Sequence, residues 1–301
     1  MADFIEEKHY KGKVIVRFYP ESHKYFVSVN GGPFKQKPGV TTLIGIKDKS
    51  MALGSWYQQI TADFLLKLVD KKVKLDQELA LEAAVQNEIL KTEASDAGKD
   101  AHDWCERFVK NLMGIKGFES VPEMPKEKGT VVGVNAFLSW WDSLKIEPME
   151  SEKIVFSLEH DYIGTYDFGA KINSVKSIID FKTSNGLYNS VRLQTIGYKD
   201  AAEEEAGKEL FKKRWALRLS KYSEKDYYER ENRKVQLKQL IARKKGWQIR
   251  EYPVKPYQVF EAMCFDEDPK NMAQDRKGFL HAIGLYRWDR DTDFFLTKMN
   301  Q

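Results

Sequence analysis

The stretch SEKIVFSLEHDYIGTYDFGAKINSVKSIIDFKT, residues 151–183, decides the fold. It contains three runs of strand character, SEKIVFSL, YIGTYDFGAKI and VKSIIDFKT, joined by the short polar turns EHD and NS. Turns this short between apolar runs predict an antiparallel meander. Successive side chains on a strand point to opposite faces. Ile179 and Phe181 therefore share one face of the third run, and Asp180 and Lys182 share the other. On the second run Asp167 has the small neighbours Thr165 and Gly169 on its face, while Tyr166 and Phe168 point away.

Working outward, KVIVRFY and KYFVSVN read as a hairpin around Pro20, followed by the turn-rich NGGPFKQKPG and by VTTLIGI. From Gly54 to Leu144 apolar residues recur three and four apart, the helical period. Four runs are visible: Trp56 to Leu68, Leu79 to Ile89, Ala97 to Met113 and Thr130 to Leu144. After the meander, Tyr188–Glu205 reads as a helix, LFKKRWALRLS as a strand and Lys221–Lys245 as a basic helix or arm. WQIREYPV reads as one more strand, and Pro256–Trp288 as closing helices. The expected fold class is α/β (α+β mixed), with a central mixed β-sheet flanked by helices and an N-terminal helical region before it. The expected organisation is a β-hairpin and loop over 1–48, a helical region over 49–147 and a core over 148–301, forming one compact unit.

Composition narrows the function. Of 301 residues, 42% are hydrophobic, with 7 Trp, 14 Tyr and 17 Phe, which excludes a disordered chain. No apolar stretch approaches the ~20 residues of a spanning helix. The N-terminus shows no apolar secretory run, so a cytoplasmic location is the expectation. Two cysteines, Cys105 and Cys264, exclude a four-cysteine iron–sulfur cluster within the chain. The net charge is only +4, but residues 221–250 hold ten Lys/Arg against four Asp/Glu. Such an arm suits a polyanion or forms a solvated helix face.

The meander carries the chemistry. If its second and third strands pair through the turn near Asn173, Asp167 and Asp180 come together. Two carboxylates so held repel unless a cation lies between them. The hard oxygen donors would be Asp167, Asp180, the backbone carbonyl of Phe181 and waters, a set that suits Mg²⁺ or Mn²⁺. Lys182 lies beside them, able to orient a water or offset charge on phosphorus. A D-x-K tripeptide by itself is an ordinary surface pair, so the joint pattern is what matters.

That joint pattern resembles a known family. G-T-Y-D at Gly164–Asp167, D-F-K at Asp180–Lys182 and Q-T-I-G-Y at Gln194–Tyr198 are similar to the motif series of the PD-(D/E)XK nuclease superfamily, in its RecB-like exonuclease branch. The resemblance covers about Glu150 to Ala206. It implies a restriction-endonuclease-like core with Asp167, Asp180 and Lys182 catalytic. Through G-K-D-A-H at Gly98–His102, it adds His102 to the metal ligands Asp167, Asp180 and Phe181. It also implies that Gln194 and Tyr198 steady Lys182 and contact the DNA strand. Arg192 is a further candidate phosphate contact. Glu152 resembles an acidic position at the start of the first strand.

Upstream, PGVTTLIG resembles a loop in which a serine is usual where Gly39 stands here. Thr41 and Thr42 are candidates there for phosphate contact or for helix capping. Trp56, Trp104 and Trp140 are either base-stacking or core residues.

The function the resemblance implies is a metal-dependent DNA exonuclease. It would use Mg²⁺ or Mn²⁺, prefer single strands at DNA ends, leave a 5′-phosphate and serve recombination, repair or replication in a phage or bacterial setting. The helical region would arch over the cleft. DNA is the expected partner, with a recombinase, a helicase or a single-strand-binding protein beside it, and no membrane. The chain has no Walker A sequence, so no helicase motor is expected. The alternatives are a structure-selective endonuclease on the same fold and a catalytically silent DNA-binding module.

Overall fold

The computed structural model describes residues 4–46, 50–248, 251 and 253–299, the side chains of 50–53, 55, 94 and 291–299 excepted. The chain opens with β1 (Ile5–His9), β2 (Val14–Tyr19), β3 (Lys24–Val29) and β4 (Lys35–Lys37), paired antiparallel in that order. The hairpin around Pro20 is thus the centre of a four-stranded sheet. Its charged edges β1 and β4, IEEKH and KQK, carry little apolar signal. Val14, Val16 and Val27 turn inward and pack on Ile154, Phe156 and Ile163 of the larger sheet.

The segment after β4 forms a short helix, α1 (Val40–Ile44). Gly39 bridges to Ile163, and the Ile163 N–H donates to the Pro38 carbonyl at 3.1 Å. Three long helices follow, α2 (Ser50–Asp70), α3 (Gln77–Leu112) and α4 (Lys128–Asp142). The two apolar runs expected over 79–89 and 97–113 belong to one 36-residue helix. The residues between them include no proline, so nothing interrupts the backbone ladder. Asp76 starts this helix by accepting the Leu79 N–H at 2.9 Å.

The second sheet comprises β5 (Ile146–Ser157), β6 (Tyr162–Ile172), β7 (Val175–Lys182), β8 (Lys213–Leu219) and β9 (Phe260–Cys264), in that spatial order. The turn Asn173–Ser174 has positive φ at both positions, 48° and 69°, the geometry that joins strands of native twist in two residues. It sets the register Ile172↔Val175 through Phe168↔Ile179. From β7 the chain crosses through α5 (Ser190–Ala206) to β8, which runs parallel to β7, and β9 is antiparallel to β8. Between β8 and β9 lies the basic helix α6 (Glu224–Lys244), capped by Ser223, and α7 (Pro269–Met299) closes the chain. Arg233 of α6 donates to Asp63 of α2 at 2.6 Å, tying the helical region to the basic arm.

Two expectations are corrected. The strand after the basic helix is Phe260–Cys264, within the segment expected to be helical. The described part of residues 247–254 is irregular, while 249, 250 and 252, including Arg250 of the basic arm, lie outside the described residues. Trp104 and Trp140 are core residues, 7% and 1% exposed, so base stacking by them is excluded.

Packing follows the strand alternation. Ile179 and Phe181 face α3 and α4, where they meet Trp104, Phe137 and Trp140. Ile178 faces the other way, into a cluster with Ile196 and Tyr198 of α5 and Phe279 of α7. Each such apolar side chain contributes about 1.5–3 kcal/mol when fully buried. A buried ion network locks β8 to the C-terminal helix: Arg214, fully buried, donates to Asp266 at 2.6 Å and to Asp275 at 2.8 Å. No helix among the described residues is long and apolar enough to cross a membrane.

Candidate active site

The regular ladder between β6 and β7 ends at Phe168↔Ile179. One step further Asp167 lies opposite Asp180, and its side chain replaces the missing backbone acceptor. The Phe181 N–H donates to Asp167 Oδ2 at 2.5 Å. The strand alternation breaks here. Tyr166 packs into the α5 cluster and Phe168 into the α3–α4 cluster, although strict alternation would put them on one face. The expected facing of Asp167 is corrected accordingly: it sits in a twist where the strands part, which frees its carboxylate.

On the other side, β5 pairs Ser151↔Phe168 and Lys153↔Tyr166, so Glu152 is opposite Asp167. Glu152 has φ 50°, an uncommon value for a residue with a β-carbon. Three carboxylates, Glu152, Asp167 and Asp180, thus occupy one row across β5, β6 and β7.

The helical region supplies the fourth group. A β-carbon at Gly98 would lie 2.4 Å from Thr183 Oγ1, so only glycine lets α3 approach the end of β7 this closely. Four residues later, on the same helical face, His102 points at the carboxylates. Its Nε2 lies 3.2 Å from Asp167 Oδ2, and its Nδ1 lies 3.9 Å from Glu152 Oε1. Its ring also meets the edge of Phe181, centroids 5.8 Å apart. His102, Glu152 and Asp167 each offer a ligand atom within 4.8 Å of the others.

Electrostatics reflect the crowding. Burial opposes charge on His102, but Asp167, Glu152 and Asp180 overcome it and raise its pKa to about 10. Burial and the neighbouring Asp167 push Glu152 up to about 8. Burial works against the Asp167 carboxylate too, yet His102, Lys182 and the Phe181 N–H hold it below its usual range. Asp180, fully buried, is lifted to about 6, by burial and then by Asp167, against the pull of Lys182. Burial disfavours the Lys182 ammonium, and Asp180 and Asp167 more than restore it. Lys182 Nζ is 2.5 Å from Asp180 Oδ2. The contact is charge against charge, since neither Asp180 oxygen receives a well-directed hydrogen bond.

The Gln–Tyr pair closes one side. Gln194 Nε2 donates to Tyr198 Oη at 2.9 Å, with both residues buried. Tyr198 packs over β6 because Gly164 leaves room: a β-carbon there would stand 2.4 Å from its ring. The cleft so formed, about 680 Å³, is bordered by His102, Glu152, Asp167 and Tyr198, and by the exposed Thr41 and Thr42 at its mouth. Gly39 precedes α1 without a side-chain cap.

The structure departs from the expected site in two respects. Asp180 lies outside the tight His102–Glu152–Asp167 group and turns toward Lys182. Arg192 points elsewhere, pairing with Asp275 at 2.9 Å in the network that holds α7. The far wall of the cleft is Tyr25 and its neighbours from the N-terminal sheet, with Tyr25 Oη 2.8 Å from Thr165 Oγ1. No local pattern in KYFVSVN marks that role, because it depends on a contact 140 residues away.

His102, Glu152 and Asp167 are placed so that they could hold a metal ion. Glu152 Oε1 and Asp180 Oδ1 are buried without a hydrogen-bond donor, while Asp180 Oδ2 already faces the Lys182 ammonium; an unmet buried carboxylate oxygen is costly unless a cation or proton meets it. The carboxylates are hard oxygen donors of the kind Mg²⁺ and Mn²⁺ take, while the single imidazole is a nitrogen donor more usual for Zn²⁺, Fe²⁺, Ni²⁺ or Cu²⁺. No family model matches the chain, and no curated protein matches it.

Proposed function

We propose that the chain is a metal-dependent DNA nuclease acting on strand ends, an exonuclease on a restriction-endonuclease-like core. The observation that carries this reading is the row Glu152–Asp167–Asp180 across three neighbouring strands, flanked by His102 and Lys182. A purely structural strand gains nothing from gathering buried like charges. The sheet order also supports it: an antiparallel β5–β6–β7 meander, then a parallel β8 reached through α5.

His102, Glu152 and Asp167 would hold Mg²⁺ or Mn²⁺, with Asp180 one strand away. The bound cation would supply Lewis-acid polarisation of a phosphodiester and acidification of a water. Asp180 orients Lys182, whose ammonium donates to the attacking water and offsets negative charge growing on phosphorus. Gln194 saturates the Tyr198 oxygen with a donated hydrogen bond, leaving the Tyr198 O–H to donate into the cleft. Thr41 and Thr42 offer hydroxyl donors to phosphate at the mouth.

The test is end-labelled single-stranded, duplex, flap and circular DNA, each with EDTA, Mg²⁺ or Mn²⁺. Linear strands should shorten from their ends only with metal, and closed circles should survive. Cut circles would favour an endonuclease. Binding in Mn²⁺ without any cleavage would overturn the enzymatic reading.

A further inference from the structure

A second concavity, about 360 Å³, opens between α6, the end of β8 and residues 253–258, lined by none of the carboxylate-site residues. Arg218, Lys221, Arg230, Lys234, Lys238 and Lys255 line it, against one carboxylate, Glu231. Arg218 is the register partner of Lys182, so the two residues stand opposite each other on adjacent strands, whose backbones are about 4.8 Å apart. Ser184 and Asn185, two and three residues beyond Lys182, border the same space.

Lys238 and Lys255 are exposed at the rim, and the other four cations are drawn inward. Lys221, Arg230 and Lys234 are half-buried. Lys221 and Arg230 lie on the ring of Tyr222, at 5.9 Å and 4.5 Å from its centroid. Glu231 is shared between Lys234 at 2.6 Å and Arg230 at 3.4 Å, and Arg218 pairs with Glu261 at 3.0 Å. Among the described residues, no carboxylate lies within ion-pair distance of the ammonium of Lys221 or Lys255. Burial and then the neighbouring Arg230 push the Lys221 pKa down. Lys234 is lowered as well, by burial and by Arg230 despite Glu231. Like charges drawn into a half-dry pocket repel, and a multiply charged anion would relieve that repulsion.

We propose that this pocket seats the phosphodiester backbone of a single nucleic-acid strand next to Lys182, engaging about two consecutive phosphates. The inference deepens the nuclease reading and rests on it for the strand's direction toward the carboxylates. A backbone occupant fits better than a free small anion, because the cations spread over three segments, β8, α6 and the 253–258 stretch, rather than converging on one point.

The experiment measures anisotropy of a fluorescein-labelled thymidine 20-mer with the full chain in EDTA, where no cleavage can occur, over a range of salt. The variants are K221Q/R230Q, the exposed-site K255Q, and the remote control K8Q/K116Q. Each phosphate contact on a single strand contributes about −0.7 to the slope of log K against log salt. K221Q/R230Q should bind about tenfold more weakly, with a slope shallower by about 0.7–1.4, and K255Q about threefold more weakly. The control should match wild type. K255Q cannot disturb packing, so its loss stands even if the double variant is unstable.

Wild-type affinity and slope in both pocket variants would overturn the proposal. So would dialysis showing that they lose inorganic phosphate while keeping the oligonucleotide. If Mn²⁺ supports no cleavage but the variants lose the strand, the pocket stands and the nuclease reading falls. If wild type cleaves and the variants bind normally, the pocket alone falls.

Discussion

His102 Nε2 lies 3.2 Å from Asp167 Oδ2, although the two residues are 65 apart in sequence and belong to a helix and a strand. The contact depends on two close approaches. Gly98 lets α3 touch Thr183, and the parting of β6 from β7 at Asp167 frees the carboxylate to meet the ring. The carboxylates that His102 meets raise its pKa to about 10, which favours positive charge beside the acidic row.

Asp180→Asn and Lys182→Gln keep size while removing the charges that the proposed chemistry needs. Cleavage should fall by at least about a hundredfold in each. Each variant also breaks the buried Asp180–Lys182 pair, so urea unfolding should show a loss of about 3 kcal/mol, and cleavage is compared at a temperature where both variants remain folded. Either variant cleaving at the wild-type rate would contradict the assignment.

Gly98→Ala should help helix propensity by about 1 kcal/mol, yet it drives a β-carbon into Thr183. The clash should cost about 1–3 kcal/mol and shift His102, lowering cleavage with it. Thr183→Ala in the same chain removes the hydroxyl and should restore both. A double-mutant cycle by urea unfolding and activity measures the coupling, and additive losses would show that the contact is unimportant.

Asp275→Ala strips the shared carboxylate from Arg214 and Arg192. Breaking a buried pair in this way costs about 3 kcal/mol in urea unfolding. Arg192→Gln should cost about 1 kcal/mol or less, since Arg192 is partly exposed and Asp275 keeps Arg214. DNA affinity in Arg192→Gln should stay within about twofold of wild type, because its guanidinium faces α7.

His9 provides a pH signature away from the cleft. Burial opposes its charge, but Glu205, at 2.9 Å, and Glu7 lift its pKa to about 9. A raised folded-state pKa contributes stability that is complete below about 6.5 and disappears as pH climbs through about 9. The contribution is about 3 kcal/mol. Urea unfolding of wild type minus that of His9→Gln should shrink by about this amount between pH 6 and pH 10. Because His102 is present in both chains, its own titration cancels. A pH-independent difference would contradict the assignment.

The sheet was legible where signals were local. The EHD and NS turns mark the meander, and the alternation of Ile178 and Ile179 marks its two buried faces. Asp167, Asp180 and Lys182 stood out because charges are rare on strands so rich in Ile and Phe. What stayed hidden depended on distance or on broken periodicity. Nothing local tells that Tyr25 walls the cleft or that Arg192 is taken by Asp275. The alternation rule misplaces Tyr166 and Phe168 because it assumes an unbroken ladder through Asp167. Arg218 became visible only through its register with Lys182, which needs the parallel crossover through α5. The strand Phe260–Cys264 has too few residues to outweigh the helical pattern around it.

Anomalous diffraction from a crystal soaked in manganese reads the occupancy of the carboxylate row without an assay. A manganese peak is expected at coordination distance, about 2.0–2.3 Å, from Asp167 and from His102 or Glu152, with Lys182 alongside. Saturating manganese that leaves this row without a peak, while the side chains of Asp167 and Glu152 diverge, would contradict it.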